Sequence, residues 1–73
     1  MSTHAKTIEL SSESPNSFQE AVTDGIKYAA QTLRNIRSAW VQDQEVVVAN
    51  GAVKAFRVHM KVTFVLESHE HVR

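Results

Sequence analysis

Four side chains of this 73-residue chain could hold a small ligand: Trp40, Arg57, His59 and Lys61. The last three recur at every second position of AFRVHMKVTFVL, residues 55–66, so in an extended chain they share one side with Ala55, Thr63 and Val65. Arg57 is the natural bidentate donor there, suited to a phosphate or a ring carbonyl. Most basic rows of this kind are solvated sheet faces; an anion site is the sharper alternative. Trp40, the single indole, falls on the polar side of the preceding strand. It either packs in a subunit interface, where Trp is enriched, or offers a stacking platform to a planar aromatic ligand.

Asp43 and Glu45, two apart on one strand face, could bind a hard cation if another subunit supplied further oxygens. The terminal ESHEHVR brings His69 and His71 together with Glu67 and Glu70, residue types compatible with metal coordination when ordered. Residues 68–73 nevertheless read as a flexible tail. No P-loop, GxGxxG, HExxH, GxSxG or EF-hand spacing occurs, and two glycines are too few to cradle a phosphate. The expectation is a binding protein without enzymatic activity.

These residues need elements to position them. Residues 55–66 alternate strictly, with Phe56, Val58, Met60, Val62, Phe64 and Leu66 opposite the basic row, as in an antiparallel strand with one buried face. Residues 38–49 are β-rich at both ends, and Asn50-Gly51 suits the positive φ angles of a type I′ turn. A two-residue loop sets Trp40 opposite Lys61, Gln42 opposite His59 and Gln44 opposite Arg57, all facing away from the helix. The helix side then carries Asp43, Glu45 and Val47 opposite Val58, Phe56 and Lys54.

Upstream, Ser17 and Glu20 match a capping box, and Phe18, Ala21, Val22, Gly25, Ile26, Ala29, Leu33 and Ile36 trace one helical stripe. Gly25 on that stripe marks a close approach to a sheet. Residues 4–10 form a short first strand, and Pro15 lies in the loop that follows. The fold class is α+β, a β-α-β-β chain with a three-stranded antiparallel sheet packed on one helix and the last strand in the middle. A helix of about 20 residues spans roughly 30 Å, whereas a hairpin arm of about 14 spans roughly 46 Å. The sheet therefore overruns its helix, and a symmetric oligomer could cover the excess.

Composition sets the bounds. With 42% apolar and 22% charged residues, residues 1–73 make one soluble domain. The absence of cysteine excludes disulfides and thiolate zinc sites. Eight Lys plus Arg balance eight Asp plus Glu, which leaves no overall field for a polyanion, so nucleic acid is not an expected partner. The N-terminus lacks the regions of a signal peptide, and no apolar run approaches the ~20 residues of a membrane span. A cytoplasmic protein without a membrane partner is expected. A chain this short buries only about 60% of its unfolded surface, so self-association is the remaining route to more burial.

SPNSFQEAV at the helix start, AAQTLRNI at its end and the hairpin VVVANGAVKAFRVHMKVTFVLE resemble the dodecins. The resemblance covers residues 6–67. It implies a hollow homododecamer whose neighbouring subunits complete the shell, and FMN or riboflavin stored or sequestered between them. Flavin-binding dodecins stack the isoalloxazine on a Trp near the start of the second strand and hold its edge with a Gln on the third. Counted without gaps, that Trp position falls on Ser38, with Trp40 two residues further along the same face, and the Gln position holds Arg57. A calcium-associated branch, similar through NIRSA and FRV, also lacks that Trp and carries Arg at the position of Arg57. The resemblance implies that Trp40 stacks and that Arg57 and Gln44 hold polar edges or phosphate. Ser38, Gln42, His59 and Lys61 line the same wall. The alternative is an assembly that binds no flavin and takes a divalent cation or another anionic cofactor instead.

Overall fold

Strand β3, Ala52–Leu66, occupies the centre of the sheet: it has one apolar face to cover and two edges to pair. The computed structural model describes residues 4–66, so the metal-ligand and flexible-tail readings of residues 67–73 fall outside it. Strand β1, His4–Ser14, pairs antiparallel with one edge of β3, and strand β2, Ile36–Ala49, with the other. Helix α1, Phe18–Ala29, lies over β1 and β3. The β-α-β-β order and the central last strand are as the sequence predicts.

The core is small. Ala21, Val58, Met60 and Val62 are fully buried, and Leu10, Phe18, Val22, Ile26, Ile36 and Ala39 pack around them. Phe18 meets Phe56 edge to face at 5.1 Å between ring centroids. Gly25 sits where α1 crosses the sheet: a Cβ there would come within 2.8 Å of Met60 Cε and 2.9 Å of Ser12 Cβ. The missing side chain sets the helix-to-sheet distance.

Three boundaries differ from the sequence reading. The helix ends at Ala29 rather than continuing through Ile36. Gln31 and Thr32 donate to the carbonyls of Tyr28 and Ala29, a tightened last turn, and Asn35 takes a φ of 62°. Asn tolerates this left-handed conformation, which redirects the chain into β2. Ile36 keeps its place in the core from a strand opposite Phe64, so the helical spacing of Leu33 and Ile36 is coincidental. In turn β2 begins at Ile36, two residues before the expected start, and β1 runs on to Ser14 instead of stopping at Leu10. Serines 11, 12 and 14 look like loop residues, but β3 offers a full-length partner edge that captures them.

Ser17 caps α1 as expected, its hydroxyl accepting from Glu20 N at 2.9 Å. The reciprocal half of the box is redirected. The Glu20 carboxylate accepts from the Ser14 hydroxyl and from Asn16 Nδ2, while the buried Ser14 Oγ accepts from Asn16 N at 2.9 Å. The end of β1 is thus tied to the first turn of α1. The Ser14 bond, then the Asn16 bond, hold the Glu20 carboxyl below the usual carboxylate range. A depressed folded pKa contributes stability that is complete above the ordinary value and is lost as pH falls through the lowered one. Urea midpoints at fixed protein concentration should therefore drop on acidification, and Glu20→Gln should flatten that drop; an unchanged acid limb in the variant would assign the loss elsewhere.

The hairpin turn has Asn50 at φ 53° and Gly51 at φ 76°, the type I′ geometry, with Ala49 opposite Ala52. The register then departs from a simple ladder. Bulges interrupt it between Val47 and Val48, between Val41 and Asp43, and between Ile36 and Ser38. The first leaves Lys54 of β3 unpaired, and the second leaves Gln42 of β2 unpaired. Between them the pairing is displaced by one residue, which exchanges the faces of that part of β2. Gln44 now lies opposite Val58 and Val46 opposite Phe56, on the helix side, while Asp43 and Glu45 lie opposite His59 and Arg57. The expected pairs of Gln42 with His59 and Gln44 with Arg57 are thereby replaced.

The overhang is larger than expected. A 12-residue helix is about 18 Å long, whereas the folded chain measures 61 × 20 × 13 Å. Its radius of gyration is 15.8 Å, against about 11 Å for a compact chain of this length. Beyond the helix, the helix-side face of the hairpin exposes Val41, Val46, Val48 and Val53. Among the described residues no helix is long and apolar enough to cross a membrane.

Candidate functional site

The face of the sheet turned away from α1 is built in four rows across β1, β3 and β2, because residues directly opposite each other share a face. Glu13, Arg57 and Glu45 form one row, and Ser11, His59 and Asp43 the next. Glu9, Lys61 and Trp40 follow, and then Thr7, Thr63 and Ser38. Trp40, Ser38, Arg57, His59 and Lys61 are therefore brought together as the sequence predicts. Gln44 is not among them, since the displaced register sends it to the opposite face, and Gln42 sits unpaired in the bulge.

Arg57 is already occupied. Its Nε donates to Glu13 Oε1 at 2.9 Å and its Nη1 to Glu45 Oε1 at 3.5 Å. These carboxylates, Glu13 foremost, raise the guanidinium pKa further and keep it charged at all relevant pH. His59 links the same acid to β1, with Nε2 2.8 Å from Glu45 Oε1 and Nδ1 2.8 Å from Ser11 Oγ. A neutral ring meets both bonds by donating from Nε2 to the carboxylate and accepting the Ser11 hydroxyl proton at Nδ1. Asp43 Oδ1 stands 3.8 Å from the same Nε2. The His59 bond holds the Glu45 carboxyl below its usual range against a desolvation penalty, and the charge of Arg57 adds to the lowering.

The chemistry differs from that of a bare basic row. Counting the four rows, Glu9, Glu13, Asp43 and Glu45 oppose Arg57 and Lys61. Trp40 stands at the end of the Lys61 row, on the β2 edge of the sheet, with 71% of its surface exposed. An indole beside ammonium, hydroxyl and carboxylate groups can stack a flat ring and hydrogen-bond its rim.

Sequence reasoning missed Ser11 and Glu13, because a first strand of residues 4–10 stops short of them, and it did not single out Glu9, which that strand contains. The signal was present as alternation through ELSSES, in which Glu9, Ser11 and Glu13 share one parity. Among the described residues no three His, Asp or Glu side chains gather in a way that could hold a metal ion. A cleft of about 310 Å³ lies where the end of α1 meets the end of β3, lined by Thr32, Leu33, Arg34, Asn35, Phe64, Val65 and Leu66. It includes none of the candidate ligand-binding residues.

Comparison with known proteins gives a consistent picture. The family model described as Dodecin matches residues 5–67. The dodecin from Streptomyces davaonensis superimposes with a TM-score of 0.89 at 26% identity, covering 93% of this chain and 100% of that one. The dodecin from Streptomyces coelicolor gives 0.86 at 27% identity, over 92% and 96% of the two chains. A protein described as a calcium-chelating immunodominant antigen, calcium dodecin, from Mycobacterium tuberculosis gives 0.77 at 24%, over 96% and 97%. No curated protein sequence matches the chain.

Proposed function

The chain belongs to the dodecin family, and from that premise we propose that it is a non-enzymatic homododecamer that stores or sequesters a flavin, riboflavin or FMN, between subunits. The observation that carries this reading is Trp40, a large ring left 71% exposed by its own subunit on a face of hydrogen-bonding groups. The uncovered valines of the overhang and the 61 Å length of so thin a subunit support assembly. Trp40 stacks the ring, and Ser38, Lys61 and His59 lie within the same rows to meet its edges. Titration of purified protein with riboflavin and FMN, read by flavin fluorescence, tests the binding. Quenching at micromolar protein is the expected result, and unchanged fluorescence with either ligand overturns it. Light scattering should report a particle of many subunits, and a monomer would remove the site.

The second reading is an assembly that holds a divalent cation, or another anionic cofactor, instead of flavin. The cation reading is supported by the displaced register, which carries Asp43 and Glu45 together onto the face that holds Glu9 and Glu13, and by the likeness to a calcium dodecin. Melting with and without a chelator separates the two: only a cation-dependent assembly loses stability.

A further inference from the structure

We propose that this protein selects the uncharged flavin, riboflavin, over its phosphorylated form, and that the carboxylates on the site face are the selecting groups. The inference rests on the flavin reading above and narrows it to one ligand class. Its ground is the charge of the four rows. Glu9, Glu13, Asp43 and Glu45 stand against Arg57 and Lys61, so with a neutral His59 the face carries two negative charges in excess. The other cations of the hairpin, Arg37 and Lys54, sit in the bulges that bound these rows.

The one guanidinium within these rows, Arg57, is bound on two sides, by Glu13 at 2.9 Å and Glu45 at 3.5 Å. A phosphate approaching Arg57 meets two carboxylates already there. It must displace them or add its charge to theirs. In a symmetric assembly each further copy of the face brings the same excess. Riboflavin meets no such penalty. Its ribityl hydroxyls and its ring imide N–H are donors, and carboxylates accept from them. The same acids that repel a phosphate dianion thus hold the uncharged polyol. Lys61, in the Trp40 row, is left to donate to a ring carbonyl.

The discrimination is electrostatic between exposed groups, so salt must erase it. Two excess charges acting on a phosphate dianion at about 10 Å in water give roughly a fivefold to tenfold preference at ~10 mM ionic strength, where the Debye length is about 30 Å. At ~1 M the Debye length is about 3 Å, and the two affinities should converge. The test is a pair of titrations, riboflavin and FMN, at both ionic strengths, on the intact assembly and on Glu9→Gln. Riboflavin should bind several-fold tighter at low salt and nearly equally at high salt. Glu9→Gln should tighten FMN and weaken riboflavin slightly, so that their ratio at low salt falls; a ratio that stays as in the unsubstituted protein overturns the selecting role of the carboxylates. Equal binding at low salt, tighter FMN, or a ratio indifferent to salt overturns the selectivity and leaves the flavin reading standing. No binding of either ligand overturns both.

Discussion

Truncating Met60 to alanine is expected to cost about 2–5 kcal/mol, the range for removing a large buried side chain and leaving its cavity. Met60 is 1% exposed and belongs to a fully buried cluster of only four residues. A domain of this length is stable by roughly 4–11 kcal/mol, so the variant loses a large share of what it has. Denaturant midpoints at one fixed protein concentration measure it, because self-association, where present, adds to apparent stability by mass action. A companion substitution tests the cause. Gly25→Ala would gain about 1 kcal/mol in an exposed helix, but here the new Cβ meets Met60 Cε at 2.8 Å and Ser12 Cβ at 2.9 Å. The Met60 methyl can swing aside, whereas the Ser12 Cβ is fixed to the backbone of β1, so Gly25→Ala is expected to be destabilising overall. In a Met60→Ala background one of the two obstructions is gone. Non-additivity of about 0.5–3 kcal/mol, favouring the double variant, is expected, and strict additivity would show that Ser12 alone sets the approach.

That close approach was legible in the sequence because a glycine on the apolar stripe of a helix costs stability unless something needs the space. The strict alternation of residues 55–66 and the Asn50-Gly51 turn likewise determined the central strand and the hairpin. The bulges were not legible. Gln42 and Lys54 carry no local signature of being the unpaired residues, and a two-residue turn predicts an unbroken ladder from Ala49 and Ala52 onward. The ladder holds at Trp40 and Lys61 only because the bulge on β2 cancels the bulge on β3. Between the two, the polar face changes from glutamines to acids. The basic row of the sequence is consequently an acid-rich lattice in the structure, with Arg57 and His59 serving as its cross-links. The end of the helix was obscured for a different reason: Leu33 and Ile36 continue a helical spacing, and the left-handed turn at Asn35 overrides it.

Replacing Trp40 with alanine is expected to weaken flavin binding by about 5- to 150-fold, the equivalent of roughly 1–3 kcal/mol for losing one aromatic stacking surface. The indole is 71% exposed within its subunit, so removing it should change subunit stability by no more than about 0.5 kcal/mol. The two roles open to Trp40 therefore separate cleanly. If it stacks the ligand, the assembly keeps its mass in Trp40→Ala while riboflavin affinity falls, and Trp40→Phe recovers part of the loss. If it instead fills a contact between subunits, the mass falls with dilution and affinity follows only as the assembly dissociates. The first outcome is expected, because Trp40 shares its row with Lys61 and Glu9 and stands next to the row of Ser38 and Thr63. The core of a protein interface is depleted of charged residues, whereas a ligand that carries carbonyls and hydroxyls has use for them.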